Sequence, residues 1–226
     1  MRAVSLTRRG KIGECRIEAV SLMDYLRMTA ALLAAAMAAG QSKPADRTVP
    51  VDNEYVRVVA VHAAPPKVKT RWHTHEVNRV MIYLNAGGQE VVHEGGKVET
   101  VRWKAGEVIW SPALGRHTAE ILGPEPARIV EIELKQPSPA QGGAPAAERA
   151  IRSRGVELDN AQVLVRRVKG PATVKDDSLT KRWPAVVALT QGERPGVTWR
   201  PAASGTWNLA AGEEAVVTLV KTQARP

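Results

Sequence analysis

The chain has no phenylalanine and a single cysteine, Cys15, among its 226 residues. One cysteine excludes an internal disulfide and any site built on paired thiolates. Aromatic residues make up 4%, with tryptophan used six times and tyrosine three. Histidine is equally scarce. His62, His73, His75, His93 and His117 are the whole supply, and none follows His117, so imidazole chemistry is confined to the first half. No long apolar run occurs either. The most extended, Thr29 to Ala39, has about eleven residues, whereas a spanning helix needs ~20. Charge of one sign is missing where the histidines lie. Residues 51–135 hold eleven basic and eleven acidic side chains, although the whole chain carries +9. The excess sits in the flanks, without a basic stripe, interleaved aromatics or a nucleic-acid motif, so nucleic acid is not an expected partner.

Residues 1–40 read as a leader. Arg2, Arg8, Arg9, Lys11 and Arg16 show no regular period. The Ala- and Leu-rich run that follows has the ~7–15 residue length of a signal-peptide core, and Ala36-Met37-Ala38 supplies a small-x-small cleavage pattern. The expectation is an exported protein, periplasmic or secreted, cut near Ala38 or Gly40, with translation starting at Met23 or Met28 and no stable membrane span. Gln41 to Val49 reads as a polar lead-in, so residues 41–50 are set apart from the folded region.

From Val51 onward the texture is that of short strands. Tyr55 to His62 alternates and is β-branched, and Ala63-Ala64-Pro65-Pro66 ends it. Strands are expected from Thr70 to His75 and Val77 to Leu84, with a turn at Asn85-Ala86-Gly87-Gly88. Gly95-Gly96 between Gln89–Glu94 and Lys97–Trp103 marks a tight hairpin, where glycine supplies positive φ. Val108–Trp110, Arg116–Leu122 and Ala127–Leu134 follow. Closely spaced strands with turns between them, and no helical period, predict an all-β jelly roll or closed sandwich.

Within this region lies Arg71-Trp72-His73-Thr74-His75-Glu76. Side chains two apart on a strand share a face, so His73 and His75 project together, with Val77, Arg79, Met81 and Tyr83 on their side. Two imidazoles on one strand face are a pair of metal ligands, and His117 would join them from a neighbouring strand. Glu76 faces away. His62 and His93 sit on other strands outside this pattern, and Met81 and Tyr83 line the interior or pack it.

These segments resemble the two motifs of the cupin superfamily over residues 51–135. His73-x-His75 matches the first motif, with Arg79 where the family has a glutamate and Gly87 at the following turn, one residue late. Gly106, Pro112 and His117 match the second, with Gly115 one place late. The resemblance implies a cupin-type jelly-roll barrel and a divalent transition metal (Fe, Mn, Zn, Ni or Cu) on His73, His75 and His117. It also implies a small-molecule ligand and a homodimer paired through an edge strand. Three-histidine sites without a carboxylate occur among the family's thiol dioxygenases, where an arginine holds the substrate carboxylate. Arg79 has two readings here. Its guanidinium fork suits an anionic group in the cavity, with Tyr83 and Met81 as further substrate contacts, or it pairs with an internal acid, Glu131 or Glu133.

Residues 136–149, rich in Pro and Gly, read as a flexible linker. Beyond it, Leu158 to Val168 echoes Val51 to Val61, Val186 to Gly192 echoes Val80 to Gly87, Thr198-Trp199-Arg200 echoes Arg102-Trp103-Lys104, and Ala215 to Lys221 echoes Arg128 to Lys135. Residues 150–226 are therefore expected to be a reduced second β unit. His73 and His75 align with Thr180 and Arg182, so this copy is expected to lack the site and to serve structure. Three classes of function stay open: a metal-dependent enzyme (an oxygenase or isomerase), a ligand-binding cupin without catalysis, and a structural remnant. For the leader, mass spectrometry of the protein from its native host is expected to find the N-terminus between residues 38 and 41; an intact terminus upstream of Ala36 would rule out export by this route.

Overall fold

A computed structural model of the chain describes residues 45–136, 156–192 and 195–222. The leader at 1–40, Cys15 and nearly all of the linker at 136–149 lie outside the described residues. The first half contains β1 (Asp46–Asp52), β2 (Val56–Ala64), β3 (His73–His75), β4 (Arg79–Tyr83), β5 (Gly87–His93), β6 (Val98–Trp103), β7 (Val108–Ser111), β8 (Leu114–Leu122) and β9 (Ala127–Leu134). The second contains β10 (Val156–Asp159), β11 (Val163–Lys169), β12 (Ala172–Val174), β13 (Ala185–Leu189), β14 (Val197–Arg200), β15 (Trp207–Leu209) and β16 (Glu214–Val220). No α-helix occurs among the described residues, and none of their segments is a helix long and apolar enough to cross a membrane.

The first half is a jelly roll made of a five-stranded sheet, β1-β2-β9-β4-β7, and a four-stranded sheet, β3-β8-β5-β6. The second half has a five-stranded sheet, β10-β11-β16-β13-β14, and a two-stranded ribbon, β12-β15. All described residues belong to one compact unit. A single buried cluster joins the two large sheets: Val58, Val80, Ile82, Val130 and Ile132 pack with Val163, Val165, Val186 and Val216. The opposite faces line each half's own interior. Met81, Tyr83, Trp103 and Ile109 do so in the first half, and Val187, Leu209, Val217 and Leu219 in the second. This explains why the central strands read as near-continuous apolar runs. A sheet covered on both faces has no solvent side to alternate against. All five residues of β4 are buried, and six of the seven in β16.

The large sheets correspond strand for strand in their order. In the first, Asn53 Oδ1 accepts from the backbone N–H of Tyr55 (2.8 Å) and Val56 (3.0 Å), while Lys135 Nζ donates to Asp52 and to the Asn53 carbonyl (2.7 Å). In the second, Asn160 Oδ1 accepts from Gln162 (2.9 Å) and Val163 (3.0 Å), and Lys221 Nζ donates to Asp159 (2.5 Å) and the Asn160 carbonyl (2.6 Å). One sequence echo needs correcting. Thr198-Trp199-Arg200 lies on β14, which pairs with β13 as β7 pairs with β4. Trp199 opposes Val186 as Trp110 opposes Val80, so its counterpart is Trp110 and not Trp103.

Two other expectations change. The described part of the polar lead-in is largely strand, because β1 begins at Asp46 and pairs antiparallel with β2. Apart from Val51 its side chains are exposed, which removes the apolar alternation that would have marked it. The strand expected from Val77 starts only at Arg79, because Glu76–Asn78 carry the chain from the four-stranded sheet to the five-stranded one.

One ion cluster ties the halves together. Arg167 donates to Glu157 (2.9 Å), to Glu214 and to the carbonyl of Gly106 in the first half. Burial works against charge on Glu214, yet Arg167 beside it draws its pKa below the usual carboxylate range. Replacing Arg167 with alanine takes the main partner from two shielded carboxylates, although Glu214 keeps Lys169 (3.4 Å), and removal of one partner from such a cluster costs about 3 kcal/mol. Arg167→Ala is expected to lower the unfolding free energy measured in urea by that amount; an unchanged value would show that the cluster contributes nothing net.

Candidate metal centre

His73 and His75 lie on β3 at the edge of the four-stranded sheet, with β8 beside it. His73 opposes His117, while His75 opposes Leu114. Three residues on β3 therefore span four on β8. The register shift is a bulge, which re-aims side chains locally. Beyond it His117 lies across from His73. The ring centroids are 4.4 Å apart for His73–His117, 5.0 Å for His73–His75 and 5.2 Å for His75–His117. One nitrogen from each ring falls within 4.8 Å of the others.

The hydrogen bonds of each ring fix its proton. His73 Nδ1 is 2.8 Å from the Arg71 carbonyl, and His117 Nδ1 is 2.7 Å from the Gly115 carbonyl. A carbonyl only accepts, so both Nδ1 atoms carry the proton and both Nε2 atoms keep a lone pair for a ligand bond. His75 differs. Its Nε2 lies 2.7 Å from Arg79 Nη1, which only donates, so the lone pair of His75 is held by Arg79. Burial, followed by the charges of Arg79, His73 and His117, lowers the pKa of His75 to about 3. Burial also lowers that of His117, against the Gly115 carbonyl, which raises it. These two rings are neutral at physiological pH, the state in which imidazole coordinates.

Arg79 is 6% exposed and held on three sides. Nη1 also reaches Glu131 (3.4 Å), and Nη2 donates to Ser111 Oγ (2.9 Å). Of the two acids named from sequence, Glu131 is its partner, whereas Glu133 pairs with Arg57 (3.1 Å). Burial lowers the Arg79 pKa, opposed by Glu131, Tyr83 and Glu133. Burial raises that of Glu131, opposed chiefly by Arg79. Met81 and Tyr83 continue the same strand face deeper into the interior, at 6% and 2% exposure. The Tyr83 ring stacks on Trp103 at 4.1 Å and 18°. Trp103 Nε1 in turn donates to the Asn85 carbonyl (3.0 Å).

Two neighbours lie beside the cluster, His93, which the sequence pattern set aside, and Ser111, which it did not single out. His93 on β5 opposes His117, with ring centroids 6.2 Å apart, and its Nε2 is 3.2 Å from a Glu99 oxygen. Ser111 meets Arg79 only because β7 pairs with β4. Both proximities come from pairing between strands distant in sequence, and no local spacing signals them. The donor set fits a divalent transition metal in type: three imidazoles, two oriented by backbone carbonyls, with no carboxylate ligand among the clustered atoms. The obstacle is the guanidinium on the third ring.

No family model matches the chain, and no curated protein matches it. Solved structures do. Protein Ylba from E. coli is 10% identical, with a TM-score of 0.57 over 81% of this chain and 86% of its own. Protein YhaK from Escherichia coli is 14% identical, with a TM-score of 0.57 over 81% of this chain and 100% of its own. A cupin domain from Bordetella pertussis is 28% identical and covers 43% of this chain and 100% of its own, with a TM-score of 0.38.

The pairing of Arg79 with Glu131 generates a test. Arg79→Leu leaves Glu131 without its counter-charge among apolar neighbours and is expected to cost about 2 kcal/mol, less than a fully buried pair because Glu131 is partly exposed. Adding Glu131→Leu should return most of that loss in urea unfolding. If the two losses simply add, the pair carries no coupling.

Proposed function

With the fold of the cupin superfamily as its frame, we propose that this chain holds a divalent transition metal on His73, His75 and His117 and that a small anionic molecule enters the same barrel. The observation that carries this reading is the convergence of three ring nitrogens within 4.8 Å, two of them oriented through Nδ1 by backbone carbonyls. Metal loading requires Arg79 to leave His75 Nε2. Glu131 and Ser111 hold the guanidinium from the other side and give it a place to remain. Once released, its Nη1 is a donor for an anionic group, the arrangement that a carboxylate-bearing substrate needs. Met81 and Tyr83 form the apolar floor beneath. A bound metal with open positions would supply Lewis acidity or oxygen chemistry according to its identity.

A second reading is favoured by the Arg79–His75 bond itself (2.7 Å), because it satisfies the third imidazole without any metal. In that reading the barrel captures its ligand without catalysis. We also infer that the second half is a reduced copy of the first. Matching strand order and the repeated Asp-Asn/Lys contacts support this. The apolar leader pattern supports an exported protein, and edge-strand pairing between two copies is the form of dimer proposed.

Elemental analysis of protein purified without chelator or histidine tag separates the readings. About one equivalent of transition metal is expected, and none in His73→Ala/His75→Ala. Arg79→Glu removes the competing cation and adds a ligand, and is expected to tighten metal binding roughly tenfold or more. Metal bound by Arg79→Glu but not by the natural chain would favour the non-catalytic reading, and metal bound by neither would sink the metal site.

A further inference from the structure

The second half has no histidine, yet its interior is not filled. A cavity of about 200 Å³ opens between β11, β13, β14 and β15. Val187 and Val217 form part of its floor, and Trp183 and Trp207 part of its wall. Three arginines line it, and they are not equivalent. Arg167 is engaged by Glu157 and Glu214. Arg166 donates to Asp177 (2.7 Å), so its charge is met. Arg200 forms no ion pair with any described residue. Its Nη2 donates to the carbonyls of Gly205 (3.0 Å) and Ser204 (3.4 Å), and its Cζ lies 5.8 Å from the centroid of the Trp207 ring. These contacts hold the guanidinium in place and leave Nε and Nη1 without an acceptor among the described residues.

Register explains why Arg200 lacks the ion pair that Arg79 has. In the first half Arg79 opposes Ser111 across β4 and β7. At the matching pair in the second half, Ala185 opposes Arg200. The guanidinium has moved to the neighbouring strand. Its counter-acid has gone as well. Glu131 opposes Met81 in the first half, and Val217 opposes Val187 in the second. The result is a half-buried cation above an apolar floor, with Lys175 and Asp176 on the same lining; Asp176 Oδ2 accepts from the backbone N–H of Gly205 (2.8 Å) and makes no ion pair with Arg200.

We propose that this interior is a second ligand site, taking a small aromatic carboxylate whose charge is met by Arg200 and whose ring packs against Trp183 and Trp207. The planar fork of arginine matches a carboxylate through two parallel hydrogen bonds. The apolar floor and indole walls favour a flat hydrocarbon body. Size agrees: a dry protein cavity of about 150 Å³ holds benzene, so 200 Å³ accommodates one ring with a carboxylate. The site uses no residue of the metal centre and stands whether or not that centre binds metal.

Benzoate is the probe, titrated into the full-length protein by isothermal calorimetry, with benzamide and acetate as comparators. Saturable binding of benzoate is expected, at least tenfold tighter than either comparator, because one lacks the charge and the other the ring. Arg200→Gln should weaken benzoate binding roughly tenfold or more. Ser204→Trp, at an exposed position on the cavity rim, should block it while leaving the fold intact. His73→Ala/His75→Ala and Arg79→Gln should leave it unchanged. No saturable binding, equal binding of benzamide or acetate, or loss of binding in the Arg79 or histidine variants with Arg200→Gln unaffected would each overturn the proposal. The last result would assign the anion to the first barrel.

Discussion

The apolar layer between the two five-stranded sheets is the constraint from which the rest follows. It takes one face of β2, β4, β7 and β9 and one face of β11, β13 and β16 out of water. Each strand is then left with a single free face, which looks into its own barrel. Most polar side chains on the central strands lie on that inner face, as with Arg79 and Glu131, or in ion clusters such as that of Arg167, while Thr218 on β16 is buried on the shared side with Val216 and Val220. The histidines come instead from the four-stranded sheet. The candidate metal centre is thus assembled between two sheets: imidazoles from one, charged groups from the other.

That division frames the role of Arg79. A buried guanidinium must find partners, since leaving it unpaired costs more than the hydrogen bonds return. It finds an acid, a hydroxyl and an imidazole lone pair. The same contacts that make the cation tolerable in the barrel place it on a candidate metal ligand, His75. Stability without metal and any affinity for metal would therefore oppose each other at one residue. In the second half Arg200 stands opposite Ala185 and Val217 opposite Val187, so no acid meets that guanidinium across the sheet and backbone carbonyls hold it instead.

Much of this was legible in the sequence, and what was not has a physical cause. The spacing of His73 and His75, the later His117 and the glycine turns indicated both the jelly roll and the imidazole cluster. The turn at Gly95-Gly96 appears as expected, with φ of 94° and 88°. Arg79 was visible as a departure from the motif, and Glu131 as one of two candidate partners. Choosing Glu131 required the ladder between β4 and β9, and finding Ser111 and His93 required β7 and β8, all long-range pairings. Trp199 was matched to Trp103 because the neighbouring residues look alike, whereas sheet order assigns it to Trp110. β1 was hidden by its exposed, polar face. The cavity beside Arg200 was invisible because an absence of filling leaves no mark on sequence pattern.

The shared layer also bears on how the chain comes into being. Synthesis proceeds from the N-terminus, and domains generally fold as they emerge. By the time Lys135 closes against Asp52 and Asn53, every strand of the first barrel has been made, yet Val58, Val80, Ile82, Val130 and Ile132 still wait for β11, β13 and β16. For that interval the nascent barrel presents a broad greasy face to its surroundings. The second half covers that face only after the first has been made, and loss of β16, the last described strand, would leave the histidine-bearing barrel with an exposed apolar face.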